Sequence, residues 1–495
     1  MADPTVHARM NVLLITLDQF RGDCLSSAGH PLVRTPNLDA LAAEGVRLDR
    51  HYSQAAPCAP GRASLYTGMY QMNTRVVANG TPLDDRFDNV ARVARRAGYE
   101  PTLFGYTDQS IDPRVADGDD DPRLSTYEGV LPGFTVGLDL TGGQAPWREW
   151  LGALGHDIPS DGATSFRTEP DRPAEHSASA FLTDTAVAWL DRQDGPWFAH
   201  LSYWRPHPPY AAAGHWSSTY DPDDIELPIR PATAGERHRF HDTLLADPDA
   251  AATTDEAAIR RMRAQYYGMV SEVDSQLGRI WDALRTRGMW DDTVIVVTAD
   301  HGDQLGDHGL TGKFGYFPQS YRILGIVRDP RHRTPHGSVV DAYTENVDIL
   351  PTICDAIGVD TPPQCDGVAL TPFLTGTSPI HWRDAAHWEY DWRETFIRRG
   401  YIPRDAADRT LERQHLAVLA DVSYAYVQFG NRSWLCFDLA DPSWRTRTVD
   451  PAIVLPYAQR MLQWRGMYLD RTLTGLTLGD ETLPTTGRWP PPRSC

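Results

Sequence analysis

Two stretches constrain the fold more than any others: NVLLITLD, which closes on Asp18, and DTVIVVTAD, which closes on Asp300 with His301 next. Their apolar, β-branched character is continuous rather than alternating, the pattern of strands buried on both faces in the interior of a parallel sheet. Helical patterns lie between them. In TPNLDALAAEGV, Thr35 caps the helix or Pro36 opens it, and Gly45 follows the last periodic residue. In DNVARVARRAGYEPTLFGYT, residues Val90, Val93, Ala94 and Ala97 share one face, Gly98 ends the turn, and Thr102 to Tyr106 read as the next strand. From about Arg263 to Arg287, the stripe Tyr266, Met269, Val270, Val273, Leu277, Ile280, Trp281 and Leu284 predicts a long core-facing helix. Strand, helix and strand in alternation predict an α/β fold, a mostly parallel sheet sandwiched by helices. Ligands bind such sheets beyond the carboxyl ends of the strands, where Asp18, Asp300 and His301 fall.

The pattern divides the chain at about residue 378. Residues 1–378 read as an α/β catalytic domain. Residues 379–495 read as a smaller α+β subdomain, with an antiparallel sheet from HLAVLADVSYAYVQFG and RSWLCFDLAD and an extended terminal arm, GRWPPPRSC. Regions 108–173 and 211–252, rich in Asp, Pro, Gly and Ala, read as long loop insertions that could wall a site. With 47 basic against 66 acidic residues, the formal charge of −19 opposes binding to nucleic acid or an anionic membrane, so an anionic substrate must be attracted by local groups. The apolar run from Val12 to Leu17 reads as a strand rather than a secretion signal, and no stretch reaches the roughly 18 apolar residues of a membrane helix. Six sparse cysteines without CxxC spacing indicate neither a zinc site nor a disulfide framework, which fits a cytoplasmic setting with reduced thiols.

Chemistry concentrates around PCAPGRASLYTG, residues 57–68. Cys58 sits in a turn made by Pro57 and Pro60, just before a helix-competent stretch whose unpaired N–H groups favour an anion beside it. Alone, it reads more readily as a buried structural cysteine. Together with Asp18, Asp300 and His301 it forms a more specific set, two carboxylates and an imidazole able to hold a divalent cation. The oxygens suit calcium, magnesium or manganese, and the nitrogen tilts the set toward manganese.

The segment CAPGR, Cys58 to Arg62, resembles the C-x-P-x-R signature of type I sulfatases and their relatives in the alkaline phosphatase superfamily. NVLLITLDQFRGD, TPNLDALAAEGVRLDRHY, SLYTGMY, TADHGDQLGDHGLTGK and NVDILPTICDAIGV follow that family's order along the chain. Three departures mark a branch. Gln19 follows Asp18 where most sulfatases carry a second acid, GYTDQ stands where they carry G-K-x-H, and His301 stands where they carry Asn or Gln. With PLDDRFDNVARV, YWRPHPPY and RTLTGLTLG, these resemble the phosphonate monoester hydrolase and phosphodiesterase branch, which includes promiscuous arylsulfatases.

The resemblance implies that a formylglycine-generating enzyme converts Cys58 to formylglycine. It implies one divalent cation, Mn2+ or Ca2+, on Asp18, residue 58, Asp300 and His301, with Arg62 holding the formylglycine. Asn79, Tyr106, Thr107, His207 and Lys313 would surround the transferred group. His207 and Lys313 would serve the leaving oxygen, and His207 is the candidate base that regenerates the aldehyde. With Tyr106 and Thr107 in place of a lysine and a histidine, the expected substrates are small monoanionic esters, phosphonate monoesters and phosphate diesters ahead of aryl sulfates. The alternatives are a dedicated arylsulfatase and, more remotely, a thiol hydrolase using unmodified Cys58 with His207. The terminal arm implies a homo-oligomer, a dimer or tetramer.

Overall fold

The computed structural model describes residues 9–159, 161–403, 410 and 413–469. Its centre is an eight-stranded sheet in the order β5-β4-β6-β1-β7-β8-β2-β9. The strands are β1 (Asn11–Leu17), β2 (Val46–Tyr52), β4 (Pro101–Gly105), β5 (Thr135–Asp139), β6 (Phe198–Tyr203), β7 (Thr293–Thr298), β8 (Gly325–Arg328) and β9 (Ser338–Glu345). All pairings are parallel except the two made by β8. The two apolar runs that end in acids are neighbours, with Thr16 opposite Thr298, so Asp18 and Asp300 leave the same edge side by side.

Alternate residues of β1 enter two cores, which explains its uninterrupted apolarity. Leu13, Ile15 and Leu17 pack with Leu182 of the helix Ala178–Leu190 and with Val273 and Leu277 of the helix Glu256–Thr286. Val12 and Leu14 pack on the other side with Ala59, Ala63, Val90, Val93 and Ile353, from the helices Cys58–Thr67, Val90–Arg96 and Ile349–Ile357.

A second sheet runs β13-β12-β11-β10-β3. Strands β10 (Ala386–Asp391), β11 (His415–Ala420), β12 (Tyr424–Phe429) and β13 (Trp434–Asp438) form an antiparallel meander, and β3 (Ala55–Ala56) adds in parallel beside Glu389 and Tyr390. Thus the small sheet grips the chain immediately before Cys58, where the Glu389 N–H donates to the Gln54 carbonyl at 2.8 Å.

Two expectations need correction. Region 108–173 is not only loop: β5 forms an edge of the large sheet, and the helices Thr141–Ala153 and Gly162–Arg167 follow it. The strand's sequence, TVGLD, buries one side chain of five, too little to write an apolar run. Region 211–252 likewise contains the helix Arg239–Leu245, built around Phe240 and Leu244. The terminal arm, including RTLTGLTLG, lies outside the described residues. Among the described residues no helix is long and apolar enough to cross a membrane.

Candidate active site

Four neighbouring strands, β4, β6, β1 and β7, end at one edge, where β4, β1 and β7 deliver Tyr106, Asp18 and the pair Asp300–His301, and the loop after β6 carries His207. Over that edge lies the helix Cys58–Thr67, every residue of it buried, with Cys58 in its first position. Gly61 permits the approach, because a Cβ there would lie 2.5 Å from the Asp300 carbonyl oxygen.

Arg62, one turn into the helix, organises the carboxylates. Its Nε donates to Asp300 Oδ2 at 2.9 Å and its Nη2 to Asp18 Oδ2 at 3.1 Å. Its Nη1 donates to Ser202 Oγ at 2.8 Å and to the Tyr106 carbonyl at 3.2 Å, and the guanidinium lies 4.4 Å from the Tyr106 ring centroid. Such a planar fork fixes both acids, which a lysine could not do. The second oxygen of Asp300 accepts from the backbone N–H groups of Gln19, at 3.1 Å, and His301, at 2.9 Å.

The ligand-type atoms of Asp18, Cys58, Asp300 and His301 all lie within 4.8 Å of one another, and all four residues are buried. Asp18 Oδ1 is buried without a hydrogen-bond partner, a costly arrangement unless something else satisfies it. His301 Nδ1 donates to the Gly302 carbonyl at 3.0 Å, which leaves the Nε2 lone pair 3.4 Å from Cys58 Sγ. The donor set fits one divalent cation. Burial alone would raise the Asp18 carboxyl, yet the basic groups around it, His207, Arg62 and Lys313, hold it well below the usual carboxylate range. Burial, followed by Asp18, pushes the Cys58 thiol well above its ordinary value despite Lys313.

The opposite wall comes from loops. Lys313 Nζ lies 2.9 Å from Cys58 Sγ, 3.1 Å from Gln19 Oε1 and 2.9 Å from His207 Nε2. His207 Nδ1 donates to the Pro208 carbonyl at 2.6 Å, so Nε2 is the acceptor for Lys313. Burial, then the charge of Lys313, presses His207 down to about 3. Lys313 moves the other way: burial opposes its charge, and Cys58 and Asp18 raise it.

The sequence-derived residues therefore converge, with three differences of detail. Arg62 directs its donors to Asp300, Asp18, Ser202 and the Tyr106 carbonyl, so it holds the carboxylates rather than residue 58. Tyr106 turns its hydroxyl to Asp18 Oδ2 at 2.6 Å, so it positions a carboxylate. Thr107 turns away from the thiol: its hydroxyl donates to the Gly129 carbonyl and accepts from the Leu131 N–H, both at 2.8 Å. Asn79 Oδ1 accepts from the Ala59 N–H at 3.0 Å, which orients the amide at the helix amino end.

Three residues that carried no role in the sequence reading emerge. Gln19, with φ 69°, links the Asp300 carboxylate to Lys313 and donates through its amide to Asp303. Asp303 also accepts from the N–H groups of Leu305 and Gly312, at 2.8 and 3.0 Å, and from the Tyr210 hydroxyl at 2.7 Å, which ties down the loop that carries Lys313. Asp108 is buried with its Oδ2 3.7 Å from Arg62 Nε. Burial, with the charges of Asp18, Glu128 and Asp300, pushes its carboxyl up to about 7 against the pull of Arg62. All three lie inside motifs already singled out, Gln19 next to Asp18, Asp108 in GYTDQ and Asp303 in TADHGDQLGDHGLTGK, but nothing in those motifs tells which partner each side chain meets.

The sulfatase family model matches residues 10–359. Over 513 aligned residues the chain is 36% identical to the multifunctional alkaline phosphatase superfamily protein PehA of Trinickia caryophylli, covering 96% of this chain and 99% of that one. The crystal structure of a phosphonate monoester hydrolase from Agrobacterium radiobacter superposes with a TM-score of 0.87 at 40% identity, covering 97% of this chain and 100% of that one. The phosphonate monoester hydrolase SpPMH from Silicibacter pomeroyi gives a TM-score of 0.85 at 36% identity, over 95% and 97% of the two chains.

Proposed function

The chain belongs to the sulfatase family, as a hydrolase acting on ester bonds, and from that premise we propose that it cleaves monoanionic esters with a formylglycine made from Cys58 and one divalent cation, Mn2+ or Ca2+. Phosphonate monoesters and phosphate diesters come first and aryl sulfates second. The observation that carries the reading is the convergence of Asp18, Cys58, Asp300 and His301 at one strand edge, with Lys313 Nζ 2.9 Å from Sγ. The preference follows from Tyr106, whose hydroxyl serves Asp18 and adds no positive charge for a second substrate anion.

When bound, the cation would neutralise charge on the transferred group and acidify a hydroxyl. Formylglycine at position 58, once hydrated, would supply two hydroxyls on one carbon, a nucleophile and a group whose deprotonation would allow release of the product by C–O cleavage. The protein's own groups do the rest. Arg62 keeps both carboxylates aimed at the cation position, and His301 presents Nε2 to it. Asn79, its oxygen held by the Ala59 N–H, presents its amide N–H2 to an oxygen of the transferred group. Lys313 steadies charge on the leaving oxygen, and His207, whose Nε2 faces Lys313 across the site, is the base that accepts a proton.

Rates on a matched aryl sulfate and aryl phenylphosphonate test the preference. Faster phosphonate turnover is expected, and a large sulfate preference would make the protein a dedicated arylsulfatase. The thiol-hydrolase alternative is disfavoured by burial of a thiol pushed far from its thiolate form; resistance to chelators combined with sensitivity to alkylation would restore it. The same reading includes a formylglycine-generating enzyme as maturation partner, a cytoplasmic setting, a division at about residue 378, and assembly as a dimer or tetramer.

A further inference from the structure

An acid inside a pocket that must attract anions calls for a reason, and Asp108 is such an acid. It follows β4 in a left-handed turn, with φ 51°, and is 5% exposed. Gln109 pins that turn, its amide donating at 3.0 Å to the carbonyls of both Asp108 and Ala59. The guanidinium it faces is already engaged by Asp300, Asp18 and Ser202, so Asp108 stays at 3.7 Å, close enough to be felt and too far to share a hydrogen bond. Its charge also reaches Cys58, where it adds to those of Asp18 and Asp300.

Three carboxylates set against Arg62, Lys313 and a divalent cation leave the site one net positive charge, the match for a monoanion. Every reaction in the proposed set takes a monoanionic ester and one water to an alcohol and an acid. At pH 8.5 that acid gives its remaining proton to solvent and departs as a dianion. We propose that Asp108 is the specificity-determining residue that limits the site to one substrate charge, so that dianions bind weakly and the dianionic product is released. This rests on the ester-hydrolase reading above. Neutralising Asp108 raises the local charge by one unit, which strengthens binding of a monoanion once and of a dianion twice. The ratio of the two affinities is therefore the readout.

The test uses the holoenzyme at pH 8.5, where Asp108 is ionised, with inorganic phosphate as the dianion and dimethyl phosphate as the monoanion, both titrated by calorimetry. Asp108→Asn should tighten phosphate over dimethyl phosphate by about tenfold or more relative to the wild type. Asp108→Ser should shift the ratio the same way, and Asp108→Glu should retain the wild-type ratio. An unchanged ratio in a folded, cation-loaded Asn or Ser variant would overturn the proposal, as would a Glu variant that shifts as far as Asn. Wild-type turnover of aryl phenylphosphonate is measured separately, so failure of the substrate reading is visible independently of the anion ratio.

Discussion

The wall that carries Asp18, Asp300 and Arg62 is held by the ends of two paired strands and by a fully buried helix, whereas His207 and Lys313, which face it, come from loops that other side chains must hold. On the first wall the fold itself fixes geometry: moving Asp18 against Asp300 means breaking the β1–β7 ladder. On the second, geometry depends on clamps. Arg205 donates to the carbonyls of His207, Pro209 and Ala211 at 3.0, 2.8 and 2.8 Å, and the buried Glu169 carboxylate neutralises it. Asp303 does the same for the loop before Lys313. Under the proposed function, the strand wall would serve a step common to all substrates, and the loop wall would serve leaving groups that differ among them.

If the two walls differ in this way, they should respond differently to mutation. The largest expected effect is on the strand wall: Cys58→Ala should lower kcat/KM by about 10⁴-fold or more on every ester, irrespective of leaving group. On the loop wall, Lys313→Ala and His207→Ala should cost about 10²–10⁴-fold on alkyl leaving groups and much less on nitrophenyl esters, seen as a steeper dependence of rate on leaving-group pKa. Arg205→Lys keeps the charge but loses the fork, so a smaller steepening, on the order of tenfold, is expected with KM nearly unchanged. A uniform loss across leaving groups in Arg205→Lys would mean that the clamp supports the whole fold rather than one wall.

The smallest effect concerns the strand scaffold beneath both walls. Burial presses His200, hydrogen-bonded to Thr16, down to about 3 from an ordinary 6.5. Between those values the unfolded chain binds a proton that the folded chain refuses. Its contribution is present above pH 6.5 and is lost as pH falls toward 3. His200→Gln should flatten the loss of Tm between pH 6.5 and 4, and an unchanged slope would place the acid lability elsewhere.

What could be read from the sequence follows the same division. Strand-end acids announce themselves because a strand buried on both faces must be apolar up to its last residue, and Cys58 to Arg62 act within one helical turn, so their spacing is local. The loop wall is opaque for the opposite reason. Arg205 meets Glu169 across 36 positions, and Asp303 meets Gln19 across nearly the length of the large domain. The turn after β4 misleads in its own way. Gly105, with φ 115°, and Asp108, with φ 51°, break the alternation of a strand, so the sequence cannot tell that Thr107 faces away and Asp108 faces Arg62. An edge strand such as TVGLD, half exposed, leaves no apolar signature at all.

The central claim is that residue 58 works as an aldehyde and not as a thiol. Mass spectrometry of the peptide from His51 to Arg62, taken from a preparation with measured specific activity, tests it directly. The expected result is the mass of formylglycine or its hydrate at position 58, in a fraction that rises in proportion to activity across preparations. A fully active preparation in which that peptide carries only unmodified cysteine would contradict it.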